Sequence, residues 1–172
     1  MSSPFDKIVF KWVNDALPDQ FPGLVIVRAE QNGPRPNTDY VTFKVLDWTE
    51  SDFDGFDKTE QGPETEFIDV LHYNRNRVTV SVNAYSEDGR EMLTRLSKSK
   101  KKWEIRRELE NGKVSHIRTG QVRDLTFLGD TRYRRRFQVD FIFLVWTDYL
   151  EVRPKVTEIT ANGNIRSDEN EV

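Results

Sequence analysis

Phe137-Gln138-Val139-Asp140-Phe141-Ile142-Phe143-Leu144-Val145-Trp146-Thr147 is the stretch on which the fold turns. Phe137, Val139, Phe141, Phe143 and Val145 alternate along one side, the period of two that marks a β-strand with a buried face. The other side starts polar at Gln138 and Asp140 and becomes apolar at Ile142, Leu144 and Trp146. Its second half therefore needs cover on both faces, from the chain's own helices or from a neighbouring subunit. This strand is expected to run from Thr131 to Thr147, and a last one from Val152 to Thr160.

Upstream, Val78, Val80 and Val82 point in while Thr79, Ser81 and Asn83 point out, giving a strand from Arg77 to Ala84. With Phe67 to Tyr73 it predicts a hairpin turning at Asn74-Arg75-Asn76. Val41, Phe43 and Val45 alternate with Tyr40, Thr42 and Lys44 in a further half-buried strand. Before it, a short strand at Leu24-Val25-Ile26-Val27 is followed by a stiff link, because Pro34 and Pro36 cannot donate to a ladder. A short strand is expected near Val114 to Arg118, then a loop from Asp124 to Asp130.

Two regions have helical spacing. Ser3 can cap a helix, Pro4 suits its first position, and Asp6 places an anion in its first turn. Phe5, Ile8, Val9, Trp12, Val13, Ala16 and Leu17 then form one stripe, ended by Pro18. Ser86-Glu87-Asp88 offers a start for a second region carrying Met92, Leu93, Leu96, Trp103, Ile105 and Leu109 and stopping at Asn111-Gly112, with Ser97-Lys98-Ser99 as a break into a pair. Asp47 to Thr65 shows no sustained period and reads as a long acidic loop carrying Trp48, Phe53 and Phe56, aromatics suited either to interface anchoring or to packing on their own domain.

A chain of 172 residues, 36% hydrophobic and 32% charged, is long enough for one core and short for two, so residues 1–160 are expected to be a single domain and 161–172 a flexible acidic tail. A mean hydropathy of −0.71 and the lack of any apolar run near 18 residues argue against a membrane span. Met1-Ser2-Ser3-Pro4 lacks a signal-peptide pattern. Without cysteine there is no disulfide, thiolate metal site or cysteine nucleophile, in keeping with a reducing cytoplasm.

The chemistry-bearing motifs are sparse. His72 and His116 lie on different expected strands and outside any HExxH spacing, so ordinary structural or surface roles are expected. GxSxG, P-loop and GxGxxG patterns are absent. Asp52, Asp54 and Asp57 resemble a calcium loop only superficially, since the Gly and distant Glu of that loop are missing from their places; a solvated acidic loop is the expectation. No cofactor or metal is expected, nor an enzyme. Lys98, Lys100, Lys101, Lys102, Arg106 and Arg107 form a basic run that is either a solvated helix face or a phosphate contact.

The stronger signal is a charge split. From Asp39 to Asp69 there are ten Asp/Glu against two Lys/Arg, a formal −8; from Arg90 to Arg136 there are fifteen Lys/Arg against six Asp/Glu, a formal +9. The two segments either fold against one another within a subunit or lie on opposite flanks, where copies attract head to tail and close a ring. On the second reading, Trp48, Asp52, Phe53, Asp54, Phe56, Lys100, Lys101, Lys102, Arg134, Arg135 and Arg136 are the candidate contact residues between subunits or rings.

The chain also resembles the phage neck or tail terminator (tail completion) family. The likeness rests on the first helix, on Asn32-Gly33-Pro34-Arg35-Pro36 leading into Tyr40-Val41-Thr42-Phe43-Lys44-Val45, and on Val78 to Ala84 running into a helical pair. It continues with Val122-Arg123-Asp124-Leu125-Thr126, followed by Tyr133-Arg134-Arg135-Arg136-Phe137-Gln138-Val139-Asp140-Phe141, and spans Lys7 to Thr160. The resemblance implies an α+β fold, a mainly antiparallel sheet flanked by an N-terminal helix and a central helical pair. It implies a homo-oligomeric ring, typically a hexamer, at the head-proximal end of the tail of a virion assembled in the host cytoplasm. Such a ring ends tube polymerisation and meets the tail tube protein, the head-side connector and, in contractile tails, the sheath, with DNA passing through its lumen as cargo. The length and acidity of the 47–65 segment depart from the family pattern. Two rival readings are a nucleic-acid-binding module using 98–107 and 132–136, and an enzyme with a carboxylate site at Asp124, Asp130 and Asp140.

Overall fold

The computed structural model describes residues 3–17, 19–30, 34–50, 57–60, 67–129 and 132–154. Helix α1 (Pro4–Ala16) starts as expected. The Ser3 hydroxyl accepts from the Asp6 N–H at 3.1 Å and the Asp6 carboxylate accepts from the Ser3 N–H at 2.9 Å, a reciprocal capping box. The same carboxylate, buried, also holds the Arg28 guanidinium at 2.9 Å, tying the helix start to strand β1 (Val25–Arg28).

β1 runs parallel to β2 (Tyr40–Glu50), and every other pairing in the sheet is antiparallel. β3 (Asp57–Glu60) follows β2 along the same side of β4 (Phe67–Tyr85). Two helices follow, α2 (Gly89–Ser99) and α3 (Trp103–Asn111), then β5 (Val114–Thr119) and β6 (Arg123–Asp124). A small separate hairpin, β7 (Phe127–Gly129) with β8 (Arg132–Arg134), leads into β9 (Phe137–Pro154). The sheet order is β1-β2-β4-β9-β5, with β3 on β4 and β6 on β9. This is the expected α+β architecture with its N-terminal helix and central helical pair.

Several boundaries differ from expectation. The hairpin at Asn74-Arg75-Asn76 does not exist: β4 is one strand of 19 residues, in register with β9 from Phe67↔Pro154 to Ala84↔Phe137. Cross-strand partners supply what the polar sequence concealed, since the Asn76 amide donates to the Thr147 hydroxyl at 3.0 Å and Arg75 lies 4.3 Å over the Trp146 ring. For the same reason β9 does not stop at Thr147 but continues to Pro154, so Val152 to Pro154 belong to it; the rest of the strand expected to reach Thr160, and the expected tail, lie outside the described residues. Arg132 to Arg136 is not the start of β9, because Arg135 and Arg136 interrupt it after β8, and Thr131 lies outside the described residues. The break between the helices falls at Lys100-Lys101-Lys102 rather than at Ser97-Lys98-Ser99.

The expected 47–65 loop is also in part strand. β2 reaches Glu50 through a bulge at Leu46, where Val45 pairs with Val80 but Asp47 with Thr79. One extra residue reverses the alternation, so Trp48 faces the same side as Val41 and Phe43 instead of the opposite one. There its ring meets Phe5 edge-on at 5.7 Å.

The helices supply one wall of the core and the sheet the other. Phe5, Val9, Trp12, Val13 and Leu17 of α1, Met92, Leu93 and Leu96 of α2, and Ile105 and Leu109 of α3 pack on Val41, Phe43, Val78, Val80, Val82, Phe141 and Phe143. Trp12 stands edge-on to Phe141 at 4.8 Å and to Phe143 at 5.5 Å. All of this lies on one face of the sheet. Among the described residues no helix is long and apolar enough to cross a membrane.

Candidate assembly surfaces

Because successive residues point to opposite faces, the register that sends Phe141 and Phe143 into the core sends Ile142, Leu144 and Trp146 outward. The helices are on the far side. Of the two covers expected for this stripe, the chain's own helices are ruled out: the three residues remain half-buried among their strand neighbours, and the same face continues past Asp148 to Leu150 and Val152, which are 60% and 58% exposed. Arg77, paired with Leu144, and Arg75 over Trp146 flank the stripe. At its other end this face is polar and internally satisfied: Gln138 donates to Ser81 at 2.8 Å and Arg136 to Asn83 at 3.1 Å.

Where β2 begins and β4 ends, Tyr40 and Tyr85 are register partners and stack at 4.4 Å between ring centroids, 13° from parallel. Around them opens a cavity of about 780 Å³ lined by Arg35, Tyr133, Arg134 and Arg135, with Asp39 and Glu87 on its wall. Arg136 closes one side, its guanidinium 5.8 Å from the Tyr85 ring centre. Burial and the neighbouring Tyr85 raise the Tyr40 phenol above its ordinary value, while Arg35, Arg134 and Arg136 pull it down. Asp39 accepts from the Ser86 hydroxyl at 2.7 Å, which fastens the cavity wall to the start of α2.

The other basic candidates sit elsewhere. Lys100 Nζ donates to Thr119 at 2.6 Å and lies 3.0 Å from His116 Nε2, on the helical side of β5. Burial, then the charge of Lys101, lowers its ammonium below the ordinary lysine value, and His116 is lowered likewise by burial and then by Lys100. Lys101 and Lys102 are exposed at the junction of the two helices. So Arg134 and Arg135 line one cavity with Arg136 beside it against Tyr85, and Lys100 lines another with Arg106 and His116.

Of the candidates in the acidic segment, Trp48 is 45% exposed, and Asp52, Phe53, Asp54 and Phe56 lie outside the described residues. Asp124 and Asp140 do not share a site: Asp124 accepts from the Thr126 N–H in a tight turn and Asp140 pairs with Arg123, while Asp130 lies outside the described residues. Among the described residues no group of three His, Asp or Glu is placed to hold a metal ion.

Arg35, Tyr40, Tyr85 and Tyr133 were not among the sequence candidates. Alternation marks Tyr40 as outward-facing, but only the pairing register reveals that Tyr85 lies against it.

A family model described as phage neck terminator protein matches residues 5–170. The chain belongs to the phage neck terminator family. No curated protein matches it. Neck terminators are structural components of the phage tail, so this chain is a virion protein of the tail neck, and it interacts there with other head or tail components. The family is a structural one, with no catalytic activity attached to it.

Proposed function

We propose that this neck terminator closes into a homo-oligomeric ring, a hexamer, at the head-proximal end of the tail, where it ends tube polymerisation and presents a second face to the head-side connector. The partners are other copies of the chain, the tail tube protein, the connector and, if the tail is contractile, the sheath. DNA is cargo in the lumen, and assembly takes place in the host cytoplasm. Residues 1–160 act as one domain. The mechanism is steric: a ring whose two faces differ binds the tube on one side and offers no copy of the tube surface on the other.

The observation that carries this reading is the sheet's outward stripe, Ile142, Leu144 and Trp146 continuing to Leu150 and Val152, with all three helices on the opposite face. Asp148, paired with Lys113 at 2.7 Å, is the one charge along it, and an apolar strip of this length outside a small domain is a contact surface in search of its partner. Negative-stain imaging of the purified protein, alone and mixed with tail tubes, tests it. Rings free or seated on tube ends are the expected result; monomers that ignore tube ends would end the proposal.

A second reading, nucleic-acid binding, draws on the arginine and tyrosine cavity, since arginine and stacked aromatics also suit single strands. It requires salt-sensitive binding of DNA by the isolated monomer.

A further inference from the structure

The arginine–tyrosine cavity lies at one end of a ruler. Tyr40 and Tyr85 are paired at that end; Glu50 is paired with Asn76, nine residues down β4, and Asp57 with His72, thirteen residues down. At about 3.4 Å per residue those partners lie roughly 30 and 44 Å from the cavity. The segment from Asp47 to Glu60 carries six carboxylates, at Asp47, Glu50, Asp52, Asp54, Asp57 and Glu60, against the single Lys58. Held at Glu50 by β2 and at Asp57 by β3, the six residues between those anchors are too few to return to the cavity, since even a fully extended chain spans only about 3.6 Å per residue. The acidic segment and the cavity therefore cannot neutralise one another inside one subunit.

We propose that the cavity formed by Arg35, Arg134 and Arg135 around the Tyr40–Tyr85 stack receives the acidic, aromatic 47–60 segment of a second copy of this chain. This rests on the ring reading above and gives it a direction: each subunit offers its acidic end to the next subunit's cavity, a heterologous contact that repeats until the ring closes. Guanidinium groups pair with carboxylates in forked geometry, and the two stacked rings give Phe53 or Phe56 of the incoming segment an aromatic floor. Nucleic acid fits the cavity less well. Its arginines form one cluster, and the other basic cavity, lined by Lys100, lies on the helical side of the sheet. A phosphate backbone is held best by a continuous basic groove, whereas a few carboxylates are met by a single cluster of guanidinium groups.

Reciprocal charge reversal tests this in the full chain. One variant carries Arg134→Glu and Arg135→Glu, the other Asp52→Lys and Asp54→Lys, with circular dichroism to show that both remain folded. Each alone is expected to weaken self-association by about tenfold or more, read by sedimentation at low salt or on tube ends, and an equimolar mixture is expected to restore it, because every junction in an alternating ring again joins opposite charges. Wild-type rings with both variants assembling as well as wild type would overturn the cavity contact and leave the ring reading standing. Wild type that never assembles, with or without tubes, would overturn both. The contact is also overturned if a chain ending at residue 160 loses assembly as the arginine variant does, making the tail the occupant, or if the arginine variant loses only DNA binding.

Discussion

The indole N–H of Trp12 donates to the hydroxyl of Ser99 across 3.0 Å, and that hydroxyl in turn donates to the Leu96 carbonyl at 2.7 Å, so one buried serine fastens the middle of α1 to the last turn of α2. Both residues are almost fully buried, at 2% and 3% exposure. Ser99→Ala strands the indole donor in the core and is expected to cost about 1–3 kcal/mol. Chemical denaturation measures this. A loss near zero would mean that the two helices are held by apolar packing alone.

Gly89 and Gly112 make a matched pair. A Cβ on Gly89 would come within 2.6 Å of the Phe137 ring and 3.3 Å of the Ala84 carbonyl, whereas one on Gly112 would meet the terminal methyl of Ile8 at 2.5 Å. The Phe137 ring is buried and fixed in the core, while Ile8 is half-buried and can rotate its end away. Gly89→Ala is therefore expected to lower stability by about 1–3 kcal/mol and Gly112→Ala by less than about 1. Thermal melts of the two variants compare them directly, and the reverse order would contradict the packing described for α2.

His116 introduces a pH dependence. Burial, then Lys100, keeps its imidazole below the ordinary value of 6.5, so the fold favours the neutral ring. Below that value the unfolded chain takes up the proton more readily than the folded one. The contribution is whole above about 6.5 and is lost as the pH falls through the lowered folded value. The stability difference between about pH 7.5 and 5 is expected to shrink in His116→Gln, measured by denaturation midpoints; an unchanged difference would remove His116 from the acid response.

Leu144→Glu addresses the outward stripe. Its cross-strand partner is Arg77, so the new carboxylate has a cation opposite it and the monomer is expected to lose no more than about 1 kcal/mol. Ring formation is expected to fail, because a charge would then lie within an apolar contact. Rings of wild-type size and strength in this variant would show that the stripe faces solvent.

Much of the core was legible because periodicity reports faces. The α1 stripe, the cap at Ser3, and the alternation at Val78 to Val82 and Phe137 to Val145 all appear where the sequence puts them. Polar residues hid the length of the long strands. Asn74-Arg75-Asn76 has turn chemistry, yet Arg75 and Asn76 are met by Trp146 and Thr147 of β9, about 70 residues away in sequence, and the Asn74 amide donates to Glu50 of β2. Leu46 shows the same limit in another form, since a bulge inverts the alternation with no change in composition. The cavity was the least legible feature. Arg134 to Arg136 were visible as a run, but Arg35 and Tyr40 come from the approach to β2 and Tyr85 from the end of β4, and only strand register places the tyrosines together.

The unbroken pairing of β4 with β9 also has a mechanical side. Hydrogen bonds in an antiparallel ladder lie across the strands, so tension applied along them loads the ladder in shear, many bonds at once, rather than peeling it one rung at a time. Eighteen residue pairs share that load from Phe67 to Ala84. A subunit gripped at its two far ends is thus stiff along the direction of grip, and the force passes down the ribbon instead of through the packed helices beside it.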